Sequence, residues 1–166
     1  SLGTNATTGG LTKVGASTLT ISGANTYAGT TWIKEGVLKP GTTTAIPGTV
    51  TLGTATTAGA LDLGGISPVV AAVLGGSGAP SANQIVGNSS TTANGTLVVN
   101  GAGTNIFGGI IQNVVGAGNK LSALTMAGAG ELWLTGASTY TGGTNIQMGA
   151  VRIAGADNRL LSTGGG

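Results

Sequence analysis

The stretch STLTISGANTYAGTTWIKEGVL, from Ser17 to Leu38, contains the pattern that decides the fold. Leu19 and Ile21 alternate with threonine and serine, which is the two-residue period of a strand with one buried face. Nearly the same phrase returns as GELWLTGASTYTGGTNIQMGAV, from Gly130 to Val151. A phrase that returns with its strand pattern intact indicates a repeating β structure.

The two phrases align without a gap when Leu11 is placed on Leu124, 113 positions later. The same offset pairs residues of identical type: Gly15 with Gly128, Leu19 with Leu132, Gly23 with Gly136, Tyr27 with Tyr140, Gly29 with Gly142, Ile33 with Ile146 and Gly36 with Gly149. In a solenoid each strand pairs with its counterpart one coil away, so that like residues stack. The repeat therefore predicts a parallel β-helix.

Weaker copies of the strand pattern lie between the two phrases. They are TVTLG at 49–53, ALDLGG at 60–65 and TLVVNG at 96–101, and ISPVVAAVLGG at 66–76 is typical of a buried strand or short helix. Coils of roughly 20 residues spaced about 4.8 Å apart predict about eight coils and a rod about 40 Å long. We expect residues 1–166 to form a single β-helical segment, with an irregular or loop insertion around 68–94.

The alternation also predicts which side chains form the core. Large aliphatic residues of the predicted strands should point inward, and an aspartate at Leu132 should abolish cooperative folding because it would bury an unpaired charge. The predicted inward residues are Leu19, Ile21, Ile33, Val50, Leu52, Leu61, Leu63, Leu97, Val99, Leu132, Leu134, Ile146, Val151 and Ile153.

The composition argues against most kinds of chemistry. Cysteine and histidine are both absent, which removes disulfides, ordinary zinc sites, thiol chemistry and a Ser-His-Asp triad. The net charge is only +2 and the basic residues are scattered, so no nucleic-acid footprint is present. No apolar run is long enough to span a bilayer. We therefore expect no catalytic, metal or cofactor site, no calcium binding, no small-molecule substrate and no membrane insertion by this segment.

Two alternatives to an inert rod have some support in the sequence. Glu35 and Asp62 are 27 positions apart, near enough to one coil to stack as the acid and base of a polysaccharide-active β-helix. The segments Thr18-Leu19-Thr20 and Thr49-Val50-Thr51 are similar to the threonine rows of ice-binding β-helices. Outward threonines of high β-propensity and two solvated acids explain the same residues without either function.

Trp32 and Trp133 are the candidate contact anchors. Alternation places both outward beside inward aliphatic residues, on strand faces that otherwise carry polar side chains. Neither terminal stretch, SLGTNATTGG at 1–10 or LLSTGGG at 160–166, has the form of a cap for the last coil. We therefore expect homotypic contacts, chiefly through open ends and secondarily through the two tryptophans.

The phrases TLTISGANTYAGT and ELWLTGASTYTGGT closely resemble the β-strand repeat associated with autotransporter passenger domains. FGGIIQN at 107–113, followed by LSALTMAGAG at 121–130, resembles the segment that leads into that repeat, whereas Ala28 and Thr30 depart from its usual threonine and glycine. The resemblance implies a right-handed parallel β-helix, exported through the outer membrane of a Gram-negative bacterium and displayed or released.

Together the residues and the resemblance predict a fragment of a longer extracellular protein. Its expected function is that of a non-enzymatic structural or adhesive rod, with further copies of itself or a host or matrix surface as partners.

Overall fold

The computed structural model describes residues 9–154, which form a three-sided solenoid of parallel strands. In each coil the chain runs along face 1, then face 2, then face 3, and each strand pairs with strands one coil before and after it. The all-β parallel solenoid predicted from the repeat is therefore confirmed, while the right-handed sense of the coil stays a prediction.

Face 1 combines two sheets that meet where its fourth and fifth strands lie side by side. Its strands are β1 (Leu11–Lys13), β3 (Thr31–Ile33), β5 (Thr49–Leu52), β8 (Ala72–Gly75), β11 (Thr104–Phe107), β14 (Glu131–Leu134) and β16 (Ala150–Ile153). Face 2 contains β2 (Thr18–Ile21), β4 (Gly36–Pro40), β6 (Gly59–Asp62), β9 (Gln84–Asn88) and β12 (Ile110–Val114). Face 3 contains β7 (Val69–Val70), β10 (Gly95–Val99), β13 (Ser122–Met126) and β15 (Thr144–Ile146).

The seven strands of face 1 mark six turns of the solenoid, fewer than the eight coils predicted from the sequence. The estimate was wrong because the coils differ in length. The first coil returns after 20 residues, from Leu11 to Thr31. A middle coil returns after 29, from Val69 to Val98. At about 4.8 Å per coil, six turns make a rod about 29 Å long instead of about 40 Å.

The middle coils are longer because face 3 there carries strands of its own. In the first two coils the chain crosses this side without a strand, although its backbone still pairs between coils, as when the Asn25 N–H donates to the Thr44 carbonyl oxygen at 3.2 Å. Residues 68–94 contain β7, β8, a short 3-10 helix at Ser81–Asn83 and β9. The apolar run 66–76 is thus two short strands that turn a corner between faces 3 and 1.

A buried tyrosine fills the strandless side of the coil in both copies of the repeated phrase. Tyr27 and Tyr140 are 4% and 5% exposed. The Tyr27 hydroxyl lies 2.5 Å from Thr31 Oγ1, and the Tyr140 hydroxyl lies 2.6 Å from Thr144 Oγ1. Burial raises the pKa of both phenols, and the threonine contact opposes that shift. The ring supplies apolar volume where a strand is missing, and the hydroxyl ties it to the next strand.

One glycine position is required by the close stacking of coils. Gly36 has φ +74°, and a Cβ there would lie 2.4 Å from the Gly15 carbonyl oxygen. Its counterpart Gly149 has φ +72° and would meet the Gly130 carbonyl oxygen at 2.1 Å. Only glycine fits a corner with positive φ and no room for a side chain.

The core is a continuous column of aliphatic side chains inside the three faces. Nine of the predicted inward residues are at most 1% exposed: Ile33, Val50, Leu52, Leu61, Leu63, Leu97, Val99, Leu132 and Leu134. Two others, Ile21 and Val151, are half-buried and pack against this column.

The prediction of burial is wrong for Leu19, Ile146 and Ile153, which are 38%, 51% and 37% exposed. Their register is inward, since they stack on Leu38, Met126 and Leu134. They lie on β2, β15 and β16, each the outermost strand of its sheet. Within the described residues no further coil covers these side chains. Most of the two terminal stretches that the sequence offers as uncapped, residues 1–8 and 160–166, lies outside the described residues.

Candidate interaction surface

Trp32 and Trp133 lie on the same side of the solenoid, in one outward-facing row along face 1. Trp32 pairs with Thr51, which pairs with Leu74 on β8. Ile106 on β11 pairs with Trp133. Because β8 and β11 lie side by side, these five residues form one row, which we call the Trp row. Four strand spacings separate the two indoles by about 19 Å.

The Trp row is apolar and partly accessible. Ile106 is 53% exposed, while both tryptophans and Leu74 are half-buried. Four large apolar side chains in line on an outer strand face are unusual in a chain whose surface is otherwise rich in Thr, Ser and Asn. The outward orientation that alternation predicted for the two tryptophans is present, and their role as contact anchors stays a prediction.

A cation lies over each indole. The Lys34 ammonium is 4.2 Å from the centroid of Trp32, whose indole N–H donates to the Gly53 carbonyl oxygen at 3.3 Å. The Arg152 guanidinium is 5.6 Å from the centroid of Trp133 and is also paired with the Glu131 carboxylate. Such contacts restrict the indoles to one orientation, so the row is preorganised.

The two ends of the Trp row differ in charge. Lys34 lies at the Trp32 end, and Glu131 lies with Arg152 at the Trp133 end. The Arg152 guanidinium, with the Trp133 indole beside it, lowers the pKa of the Glu131 carboxyl, so that it stays ionised below its ordinary range.

The structure does not bring Glu35 and Asp62 together. Residue Leu38 pairs with Leu61, which places Lys39 and not Glu35 beside Asp62. Glu35 lies four positions earlier, about 13 Å along the strand direction, where its carboxylate accepts from the Gly15 N–H. The predicted acid and base pair was wrong because the coil length from β4 to β6 is 23 residues, as in Gly36 to Gly59, rather than 27.

Asp62 instead forms a structural cluster at the end of β6. It is 3% exposed, and its Oδ1 accepts from the N–H groups of Gly64 at 2.9 Å and Ser89 at 2.8 Å. Its Oδ2 is 3.7 Å from the Lys39 ammonium, which donates to Ser89 Oγ at 3.0 Å. Lys39 therefore binds Ser89 as a donor and does not act as its base, so the cluster stabilises a corner of the coil. The sequence analysis missed it because its members come from three different coils.

The two Thr-x-Thr segments do not form a threonine array. Thr18 and Thr20 belong to β2 on face 2, where the adjacent coil presents Val37 and Lys39. Thr49 and Thr51 belong to β5 on face 1. Because ice binding needs the motif in register on successive coils, this arrangement does not favour it.

Residues 9–154 contain no group of three His, Cys, Asp or Glu side chains that could hold a metal ion. Within the same range no helix has the length and apolarity needed to cross a membrane.

The family description of the passenger-associated transport repeat matches residues 11–39 and 124–153. The chain carries two passenger-associated transport repeats. These are the two stretches that the resemblance to autotransporter passengers rested on, so that prediction is confirmed.

Relatives of known name extend this result. The chain is similar to an adhesin, BmaC autotransporter, of Brucella suis biovar 1 (strain 1330), with 37% identity over 161 residues. That match covers 95% of this chain and 4% of the adhesin. An extracellular serine protease of Serratia marcescens is 67% identical over 30 residues, 18% of this chain and 3% of the protease. No solved structure matches the chain. The chain thus spans a few per cent of the length of these relatives.

The two transport repeats are rotated relative to each other. The first begins on face 1 with β1, whereas the second begins on face 3 with β13. Four full coils lead from β1 to β11, and two further faces lead to β13, so the repeats are offset by four and two-thirds turns. This rotation explains the Trp row. Trp32 and Trp133 occupy different positions of the repeat, matched by Asn145 and Thr20, yet both lie on face 1.

Proposed function

We propose that this chain is a rod-like segment of the passenger of an exported bacterial protein, most simply a Gram-negative autotransporter, at the cell surface or released from it. The transport repeats and the match to the Brucella adhesin along nearly the whole chain support this assignment. In this proposal the segment is non-enzymatic. Its absence of histidine excludes a Ser-His-Asp triad of its own, so the likeness to serine proteases is carried by the repeat and not by a catalytic site.

The rod acts, in this proposal, as an adhesive surface that contacts further copies of itself through the Trp row. The observation that carries it is the convergence of Trp32 and Trp133 on one row, although the repeats alone would not align them. A twofold, antiparallel arrangement of two rods would lay Trp32 of one copy over Trp133 of the other, and Lys34 opposite Glu131. Apolar and charged groups are then complementary in the same arrangement.

The contact of one isolated segment should be weak. A single row about 19 Å long covers much less than the roughly 800 Å² per partner of a stable interface. Many such segments displayed in parallel on a cell surface would bind far more tightly through their combined valency. A second route of association, end to end, would cover Leu19 at one end and Ile153 at the other. In proteins as long as the relatives, the next coils of the same chain could cover these residues instead.

Sedimentation velocity over a wide range of concentrations tests this proposal. The parent should associate as its concentration rises, and the double variant Trp32→Ser, Trp133→Thr should remain monomeric. A matched control, Val37→Thr with Val98→Thr, changes outward half-buried side chains on faces 2 and 3 and should behave as the parent does. A variant with Leu19→Lys and Ile153→Lys separates the two routes, because it removes end-to-end contacts only.

Thermal melts of all variants establish that each remains folded. A parent that stays monomeric at every concentration would exclude homotypic adhesion by this segment. Equal association of the parent and the tryptophan variant would exclude the Trp row as its surface.

A further inference from the structure

Two Asn-Gly bonds flank strand β10, and the structure treats them differently. Asn94–Gly95 precedes the strand and Asn100–Gly101 follows it, and both asparagine side chains are exposed. An Asn-Gly bond is the sequence most prone to deamidation, because glycine has no side chain to shield its amide nitrogen and leaves the backbone free to approach. Reaction requires that the glycine nitrogen reach the side-chain carbonyl carbon of the asparagine.

The reacting groups of Asn94–Gly95 are both held by Leu121. Asn94 Oδ1 accepts from the Leu121 N–H at 3.0 Å, and the Gly95 N–H donates to the Leu121 carbonyl oxygen at 3.0 Å. These two bonds fix the side chain and the nitrogen in separate positions on the adjacent coil. Gly95 is also buried within the ladder of β10 and β13. Both hydrogen bonds must open before the nitrogen can attack.

The reacting groups of Asn100–Gly101 are not held in this way. The backbone is anchored on either side, since the Asn100 N–H donates to the Val70 carbonyl oxygen at 2.8 Å and the Gly101 carbonyl oxygen accepts from the Gly130 N–H at 3.0 Å. Within the part of the chain that the structure describes, neither the Asn100 side chain nor the Gly101 N–H has a hydrogen-bond partner.

We propose that Asn100 is a site of spontaneous deamidation in the folded protein, and that Asn94 is protected. The deprotonated Gly101 nitrogen attacks Asn100 Cγ, a new N–C bond forms, and the Cγ–Nδ2 bond breaks as ammonia leaves. The product is a five-membered succinimide. Water then adds to either ring carbonyl and opens the ring, giving aspartate or isoaspartate at position 100. No enzyme, metal or oxidant takes part.

The modification changes the charge of a surface that has no acid in its strands. It lowers the formal net charge from +2 to +1 in a chain with only four acidic residues. The new carboxylate borders a shallow groove of about 320 Å³ on face 3, lined also by Asn25, Thr44 and Val69. An isoaspartate would in addition lengthen the backbone at Gly101, which packs closely on the Ala71 carbonyl oxygen of the preceding coil. The reaction would thus mark aged copies by charge and loosen one corner.

Timed incubation of the chain at mildly alkaline pH, followed by peptide mapping with mass spectrometry, tests the proposal. One sample remains folded, as circular dichroism verifies, and a parallel sample is held in denaturant. In the folded sample we expect deamidation at Asn100 at least about tenfold faster than at Asn94, because two hydrogen bonds protect Asn94. In denaturant the two rates should be similar, since both sites are Asn-Gly. An Asn100→Gln variant should lose the fast reaction only.

Two results would overturn the inference. The first is equal or faster reaction at Asn94 in the folded protein. The second is reaction at both sites in denaturant but at neither in the folded protein, which would mean that the close packing of Gly101 prevents ring closure.

Discussion

Leu19 and Leu132 occupy the same position in the two transport repeats, yet one is 38% exposed and the other is fully buried. Ile33 and Ile146 show the reverse order, with the first copy buried and the second 51% exposed. In each pair the buried member lies on a strand with a coil on both sides, and the exposed member lies on the outermost strand of its sheet. The repeat sequence sets the direction of a side chain, and the neighbouring coils decide whether it leaves water.

The largest effect that this comparison predicts is at Leu132. Leu132→Asp should cost at least about 4 kcal/mol of the free energy of unfolding, because a charge would be buried among aliphatic side chains with no partner. Leu19→Asp, at the equivalent position, should cost about 1 kcal/mol or less, since its carboxylate can reach water. Urea unfolding of both variants measures the two costs. Similar losses would mean that the first coil is covered in solution as completely as an interior one.

A second prediction concerns the basic residues that occupy equivalent positions near the ends of the repeats. Lys39 pairs with the buried Asp62 on the following coil, whereas Arg152 pairs with the partly exposed Glu131 on the preceding coil. Asp62→Asn should cost about 2 kcal/mol, because a buried charged acceptor of two backbone N–H groups is lost. Glu131→Gln should leave the unfolding midpoint unchanged. A larger effect at Glu131 than at Asp62 would reverse the proposed contrast between interior and outer coils.

The smallest predicted effect is at the two tyrosines. Tyr140→Phe and Tyr27→Phe should each cost about 1 kcal/mol through the lost hydrogen bond to threonine. Because burial raises the pKa of both phenols, the neutral form is favoured in the folded protein. Their contribution is therefore complete below about pH 10, the ordinary tyrosine value, and is lost as the pH rises further.

Thermal melts between neutral and strongly alkaline pH measure the tyrosine effect. The double phenylalanine variant should lose part of the alkaline destabilisation of the parent. An unchanged alkaline profile in that variant would assign the destabilisation to other groups.

Local patterns were sufficient to predict the architecture. Alternation and the gap-free repeat identified the parallel strands, the inward direction of Leu132 and Leu134, and the outward direction of both tryptophans. They could not predict coil length, because the number of residues on face 3 depends on whether a strand or a tyrosine-centred segment fills it. The error in coil length then separated Glu35 from Asp62, whose predicted contact depended on a 27-residue period.

The candidate surface was only half predictable. Alternation shows that Trp32 and Trp133 point outward, but it does not show that they share a row. That result needs the registers between successive strands, including the lengths of every coil from β3 to β14. The position of Ile106 on a strand between them could have suggested a longer apolar line, had the coil lengths been known.

The rotation between the two transport repeats has a consequence for how such rods grow. A duplication that inserted whole turns would present every copy of a side chain in one direction, like teeth on a rack. The offset of four and two-thirds turns instead advances each copy to a new side, so that three copies at this spacing would present the same residue in all three directions. Along this chain, sequence duplication therefore distributes a feature around the axis, and a one-sided feature such as the Trp row requires substitutions at positions that differ from copy to copy.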